Sequence, residues 1–340
     1  VLVFGDRELA IRVVPAVYGV LAALVLFGFI KRRWGELHAI VATSIYVLLP
    51  INQGFANMTN HDTGCIFWSL LMLWCHLKWS ETATGPPEGV EQGWWSAWMS
   101  RRPWLWVLGS FFCCLMAVNW NWPAYYMCFL MAWHWLYVSH DAPHRRLPHW
   151  LGLNREHVLL ALYCVFVLVN FFGFFALVHA VVGSFGEMTH SLNLRSGSTT
   201  DVYGRIWRES LEPMFSAPLL ALGLLWVVGL IIRHSRGETR SADLIPLCFG
   251  FAGVMHVLLF KKTVLVHIYW PWQLNPFVAM AAAIVLLWAT RTLSALAQRV
   301  WRQLRDSAPP LAFKRAAVAL ATLVVFAPFT AAYLQHTLPL

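Results

Sequence analysis

The residues of this chain with chemistry to offer are carboxylates and cations flanking apolar runs, and they gather in four stretches. The first is Phe4 to Arg12, where Glu8 and Arg12 are four residues apart and share one face of a helix start. The second, Asn57 to Asp62, brings His61 and Asp62 directly before an apolar run. An acid at a helix N-terminus is held as the carboxylate and is available to a metal or a hydroxyl. The same position suits an N-cap that satisfies free N–H groups, and the two roles are compatible.

The third stretch is the connection from Ser184 to Pro213, with Glu187, His190, Arg195, Asp201, Arg205, Arg208, Glu209 and Glu212. It reads either as a solvated surface loop with a short amphipathic helix around Val202 to Leu211, or as a cover whose guanidinium groups grip an anionic headgroup. The fourth runs from Lys261-Lys262 through His267 to Tyr269. Two adjacent lysines at a membrane edge either snorkel or meet lipid phosphate, which lies at that depth.

The elements that must position these groups are membrane helices. Of 340 residues, 59% are hydrophobic and only 12% charged, against about 25% charged in soluble domains. Val13 to Ile30, Pro103 to His140, His157 to Gly186, Pro213 to Ile232, Thr263 to Thr290 and Ala316 to Leu340 each lack Asp, Glu, Lys and Arg. A helix needs roughly 20 apolar residues to cross the hydrocarbon core with its backbone satisfied. The expected fold is therefore all-α, a polytopic transmembrane bundle of about ten helices over 13–30, 37–56, 63–79, 104–119, 122–138, 158–182, 215–232, 244–260, 268–290 and 316–335. Leu293 to Asp306 spaces Leu293, Leu296, Val300 and Leu304 against Arg299, Arg302 and Arg305, the pattern of an interfacial amphipathic helix on an anionic leaflet.

Placing Lys31-Arg32-Arg33 on the cytoplasmic side and alternating from there puts 18 of the 25 basic residues inside. All four polar stretches then fall on the outer, non-cytoplasmic side. This bias accounts for most of the +9 net charge, so no nucleic-acid partner is called for. The seven cysteines lie in apolar runs without metal-ligand spacing, and a disulfide framework or zinc cluster is not expected. His76, His134, His179 and His256 read as packing residues, and Asn119 to Pro123 as an outer turn with interfacial aromatics. Phosphate-loop, nucleophile-elbow and dinucleotide motifs are absent from the sequence.

Several landmarks resemble those of the integral-membrane glycosyltransferases of the GT-C fold, specifically protein O-mannosyltransferases and bacterial lipid A aminoarabinose transferases. Phe4-Gly5 with Glu8 and Arg12, followed by an apolar run ending at Lys31 to Gly35, is similar to that family's second transmembrane helix. Leu48-Leu49-Pro50 and then Asp62 resemble the end of its third helix and its second acidic position. Phe260-Lys261-Lys262, His267, Tyr269 and Asn275-Pro276 resemble its Lys-rich, Tyr-containing step before an Ala-rich helix.

The resemblance implies one transmembrane glycosyltransferase-like domain over 1–340 that moves a sugar, with inversion, from a polyprenyl-phosphate donor to a lipid, glycan or protein acceptor. The reaction would occur on the periplasmic or lumenal face, in a bacterial inner membrane rather than the endoplasmic reticulum. It implies Asp62 as a catalytic carboxylate, the family's second acidic group, near the acceptor or a divalent ion. Glu8 would help organise the first outer loop or a metal, Arg12, Lys261 and Lys262 would hold donor phosphate, and His61, His267 and Tyr269 would line the substrate cavity. The family's first helix and the outer-loop Asp that follows it have no counterpart here, so the expectation is a chain missing that segment. The competing expectation is a transporter or flippase of lipid-linked saccharide, which would use the same basic outer cluster without a catalytic acid.

Overall fold

No water in the hydrocarbon layer can satisfy an exposed amide, so a chain this apolar must close its backbone hydrogen bonds within helices. In a computed structural model of the chain, the described residues are 8–55, 62–84, 103–121, 123–128, 130, 155–184, 186, 190, 193, 202–238, 241–267, 270–305 and 309–337. Among them there are helices and turns and no strand. The protein is an integral, multi-pass membrane protein, and each of the ten expected segments has helix within the described residues.

Helix α1 (Glu8–Trp34) ends in Lys31, Arg32 and Arg33 and reverses into α2 (Glu36–Leu48) through Gly35 alone. Gly35 has φ 93°, which a side chain would strain. The single helix expected over 37–56 is broken. Leu49 turns extended before Pro50, which opens the short α3 (Pro50–Phe55), because a residue preceding proline is driven out of the helical region. Asn52 and Gln53 turn back to satisfy α2: Asn52 Nδ2 donates to the Tyr46 carbonyl, and Gln53 Nε2 donates to the Val47 carbonyl at 2.7 Å.

Asp62 opens α4 (Asp62–Thr84), which packs along α5 (Pro103–Trp120). The two helices approach closely at Gly64, where a Cβ would stand 2.8 Å from the Trp120 ring. A helical segment at 123–128 follows, and then α6 (Arg155–Val182), whose residues 161–182 are mostly outward-facing and apolar, with Phe172, Leu177 and Val181 exposed. In a bilayer that surface meets lipid.

The third stretch forms α7 (Val202–Ile206), a π-helical turn at Trp207–Leu211 and α8 (Glu212–Phe215). Helix α9 (Ala217–Ser235) leads to a 3-10 turn at Ser241–Leu244, and Arg233 Nη1 pairs with Asp243 Oδ2 at 3.3 Å across that connection. Helix α10 (Ile245–Leu259) stops at Phe260, where the backbone leaves helical geometry, and α11 (Lys261–Val266) starts immediately after.

A 3-10 turn at Trp270–Gln273 then feeds α12 (Leu274–Arg305), and α13 (Leu311–Thr337) returns across the membrane. Leu293 to Arg305, expected as a separate interfacial helix, instead continues α12 without a break. No glycine or proline lies between Phe277 and Ser307 to end it. At 1.5 Å per residue, α12 is about 48 Å long, well beyond the roughly 30 Å hydrocarbon core.

Helix α12 is the hub of the bundle, packed against α2, α9, α10 and α13. Its buried run Val278, Ala279, Met280, Ala281, Ala282 and Ala283 is almost all small, which lets neighbouring backbones approach. Its partners reciprocate with glycines: Gly223 of α9 and Gly250 of α10 face Phe277, and Gly253 of α10 faces Leu274.

The alternation of sides read from charge is matched by packing. Helix α8 lies on α3, α7 lies on α11, and the 270–273 turn lies on α4, so segments assigned to the outer side touch one another.

A Cβ at Gly253 would sit 2.6 Å from Leu274 Cγ and 2.8 Å from the Leu274 backbone nitrogen, whereas a Cβ at Gly19 meets nothing within 4 Å. Gly253→Ala is expected to destabilise the detergent-solubilised protein by about 1–3 kcal/mol, read as a lower midpoint of thermal unfolding. Gly19→Ala leaves that midpoint unchanged or slightly raised.

Candidate outer-face site

The lysine pair owes its place to the break at Phe260, which ends α10 and restarts the chain as α11, so Lys261 and Lys262 head a new helix at the membrane edge. Both are half-buried. Lys261 Nζ lies 6.0 Å above the Tyr203 ring of α7, a cation–π contact. Val202 and Ile206 of α7 pack with Val257 and Val264, joined by Leu211, Leu265 and Trp270. The segment from 202 to 211 is thereby fastened over α10 and α11 and is not a free surface loop.

Arg205 and Glu209 lie one turn apart and pair through two hydrogen bonds, at 2.9 and 3.1 Å, both about half exposed. Arg205, grouped from the sequence with arginines that grip a headgroup, is thus engaged by its own neighbour. The donated bonds hold the Glu209 carboxyl below its ordinary range. Glu209 lies in the π-helical turn Trp207–Leu211, a geometry that recurs at functional sites, and Arg205 in the α-helix before it.

His267 caps α11, exposed, its backbone N–H donating to the Thr263 carbonyl at 2.7 Å. Its ring is nearly parallel to that of Trp270 at 6.2 Å, and Trp270 in turn stacks on His256 at 4.6 Å. Phe260 and Tyr126 approach the same His256 ring. His256, read from the sequence as a lone packing histidine, therefore belongs to an aromatic cluster at the outer end of α10, beneath the lysine pair. Tyr203 and Trp270 carry no motif and are not singled out by the sequence; the Trp270-Pro271-Trp272 run is the one signal of a turn there.

The 270–273 turn touches α4 as well as α11. It thus links the helix opened by Asp62 with the helix opened by the lysines. Arg12 is exposed in the outer part of α1, and two turns further in Tyr18 packs on Phe67 and Trp68 of α4 and on Trp120. Glu8 and Asp62 are placed as helix starts; their side chains, and His61 and Tyr269 entirely, lie outside the described residues. Among the described residues no three His, Cys, Asp or Glu side chains gather as a cation would require.

A groove of about 780 Å³ runs between α1 and α2. Its walls are apolar from Ala16 and Gly19 to Leu24 and Phe27, and Asn52 and Gln53 stand at its outer end. A site built this way has apolar length for a lipid chain and cations at headgroup depth.

The fold is that of the polytopic GT-C membrane proteins. Over 97% of the chain it is similar to the apo form of the Archaeoglobus fulgidus oligosaccharyltransferase, with TM-score 0.56, 14% identity and 44% of that chain covered. It is similar over the same share to the Archaeoglobus fulgidus oligosaccharyltransferase AglB in complex with an inhibitory peptide and a dolichol-phosphate, with TM-score 0.54, 13% identity and 45% of that chain covered. ArnT from Cupriavidus metallidurans bound to undecaprenyl phosphate matches at TM-score 0.47 and 16% identity, covering 97% of this chain and 58% of that one. The chain therefore spans less than half the length of the archaeal proteins.

Residues 1–86 match the family model described as dolichyl-phosphate-mannose-protein mannosyltransferase, a stretch that contains Glu8, Arg12, His61 and Asp62. No curated protein matches significantly.

Because Arg205 lowers the Glu209 pKa, the pair is intact above the ordinary glutamate range and is lost only as pH falls through the lowered value. The Glu209 carboxyl titration, followed by ¹³C shift in selectively labelled protein, is expected to have its midpoint below that of a free glutamate. In Arg205→Gln the midpoint moves back up.

Proposed function

We propose that this protein transfers a sugar from a polyprenyl-phosphate-linked donor to a protein, glycan or lipid acceptor on the non-cytoplasmic face of its membrane. The observation that carries the reading is the family match over residues 1–86, whose description names a lipid-phosphate sugar donor and a protein acceptor. Two features support it: a half-buried lysine pair at the start of α11 and, between α1 and α2, an apolar groove. The transporter reading has no comparable support.

In this reading the Asp62 carboxylate, stabilised at the N-terminus of α4, takes the proton of the acceptor hydroxyl. The acceptor oxygen bonds to the anomeric carbon from the face opposite the phosphate. The bond from that carbon to the phosphate oxygen breaks, and its electron pair leaves with the polyprenyl phosphate. Lys261, Lys262 and Arg12 stabilise the charge that grows on the departing phosphate. His267, Tyr269 and His61 line the approach, and Glu8 orders the start of α1. The two carboxylates, Glu8 and Asp62, are also the groups that would hold a divalent ion, and the proton and leaving-group steps above run without one.

The test is transfer of labelled sugar from synthetic polyprenyl-phosphate donors by the full-length protein in liposomes. Asp62→Asn is expected to lose activity by about a hundredfold or more while still retaining polyprenyl phosphate. Lys261→Ala with Lys262→Ala is expected to weaken retention of that lipid about tenfold, the scale of a lost charge-assisted hydrogen bond. Wild-type activity in Asp62→Asn contradicts the reading.

A further inference from the structure

The buried polar atoms nearest this site are oddly placed for a membrane bundle. Gln273 and Asn275 are both 0% exposed, and neither the oxygen nor the nitrogen of either side-chain amide has a hydrogen-bond partner among the described residues. Thr63, in the first turn of α4, is 1% exposed, and its hydroxyl is in the same condition. Natural proteins pair buried amides almost without exception, because an unpaired one forfeits its hydration for nothing. Among the described residues, Gln273 and Asn275 are the only two whose side-chain oxygen and nitrogen are both buried and unpaired, which points to a partner outside those residues.

Their location says what kind of partner. Gln273 closes the 3-10 turn that touches α4 and α11, and Asn275 is the second residue of α12. The amides thus sit where the segment opened by the proposed acid meets the segment opened by the lysines. Each amide offers two N–H donors and a carbonyl acceptor. Neighbouring ring hydroxyls, each donor and acceptor at once, are matched by that pattern, whereas a phosphate can use only the donors and an aliphatic chain neither. Trp272, fully buried and directly before Gln273 in sequence, and Trp270 supply flat apolar surface in the same turn.

Resting on the glycosyl-transfer reading, we infer that Gln273 and Asn275 recognise the hydroxyl groups of the donor's sugar and so set which sugar the enzyme accepts. The phosphate is left to the lysines and the lipid chain to apolar surface. The two residues act on binding and selection and take no part in the proton transfer assigned to Asp62.

The experiment compares two lipids on the full-length protein in nanodiscs: a sugar-bearing polyprenyl phosphate and the same polyprenyl phosphate without sugar. The near-isosteric variants Gln273→Met and Asn275→Leu are expected to keep or raise the thermal unfolding midpoint and to bind the sugarless lipid as wild type does. They should bind the sugar-bearing lipid at least tenfold more weakly. Equal affinity for the sugar-bearing lipid in variants and wild type overturns the inference, since the amides then hold only water or each other. Parallel loss of both lipids with a lowered midpoint also overturns it, since the role is then packing.

If either apolar variant does not fold, Gln273→Asn and Asn275→Gln decide. These retain the amide one methylene away, and an unchanged ratio of the two affinities overturns the inference while a shift of several-fold supports it. Wild-type protein that shows no sugar transfer at all counts against the glycosyltransferase reading. Wild-type transfer combined with indifferent variants counts against this inference alone.

Discussion

Everything on the outer face depends on how closely α12 can be approached. In a bilayer, lipid tails are as apolar as leucine side chains, so helices gain little by leaving one for the other and must associate through close van der Waals contact. The run from Val278 to Ala283 provides it: a nearly smooth stripe against which α2, α9, α10 and α13 converge. Gly223 and Gly250 accept Phe277, and Gly253 accepts Leu274, at the outer end of that same stripe. Bulkier residues there would push α10 away and carry with it Phe260, α11 and the lysine pair.

The second consequence is where the helices are allowed to fail. Non-helical backbone at membrane depth survives only where protein or an aqueous cavity covers it. The breaks at Leu49-Pro50, at Phe260, in the π-helical turn and at 270–273 all lie on the outer side. Each turns a polar or aromatic group into a place that a continuous helix would have denied it. Pro50 brings Asn52 and Gln53 back onto α2, and Phe260 sets the lysines at headgroup depth. The Trp270-Pro271 turn carries Trp270 between two histidines.

Much of this was legible in residue types. The lengths of uncharged runs and the distribution of basic residues anticipate the helices and their alternation, and packing of α7 on α11 and of α8 on α3 agrees with it. Asp62 at the start of α4 was readable because helix starts leave a mark in sequence, a polar residue directly before an apolar run, whereas the short α11 that Lys261 opens was expected only as a connection between the helices over 244–260 and 268–290. Proline at 50 was read as a landmark but not as a break, although its effect on Leu49 is a local rule.

What could not be read is what long-range packing decides. Gln273 carries no signal and Asn275 only marks a helix start until burial leaves both amides unpaired among the described residues, and His256 looks isolated until Trp270, fourteen residues later, stacks on it. Charge alone left Arg205 either on a solvated loop or gripping a headgroup, whereas packing places it in a short helix with its i, i+4 neighbour Glu209 as an ion-pair partner. The amphipathic stretch after Leu293 was assigned to the membrane surface from its pattern, which does not distinguish a separate helix from the projecting end of α12.

The central claim is that the outer-face elements form one site for a lipid phosphate. It is tested most directly by photocrosslinking the full-length protein in nanodiscs with a polyprenyl phosphate carrying a photoreactive group beside the phosphate, followed by peptide mapping. The account predicts saturable labelling confined to peptides from 8–18, 202–215 and 261–275, displaced by unlabelled polyprenyl phosphate. Labelling that is not displaced, or that falls on 233–244 and 291–315 at the opposite face, would contradict it.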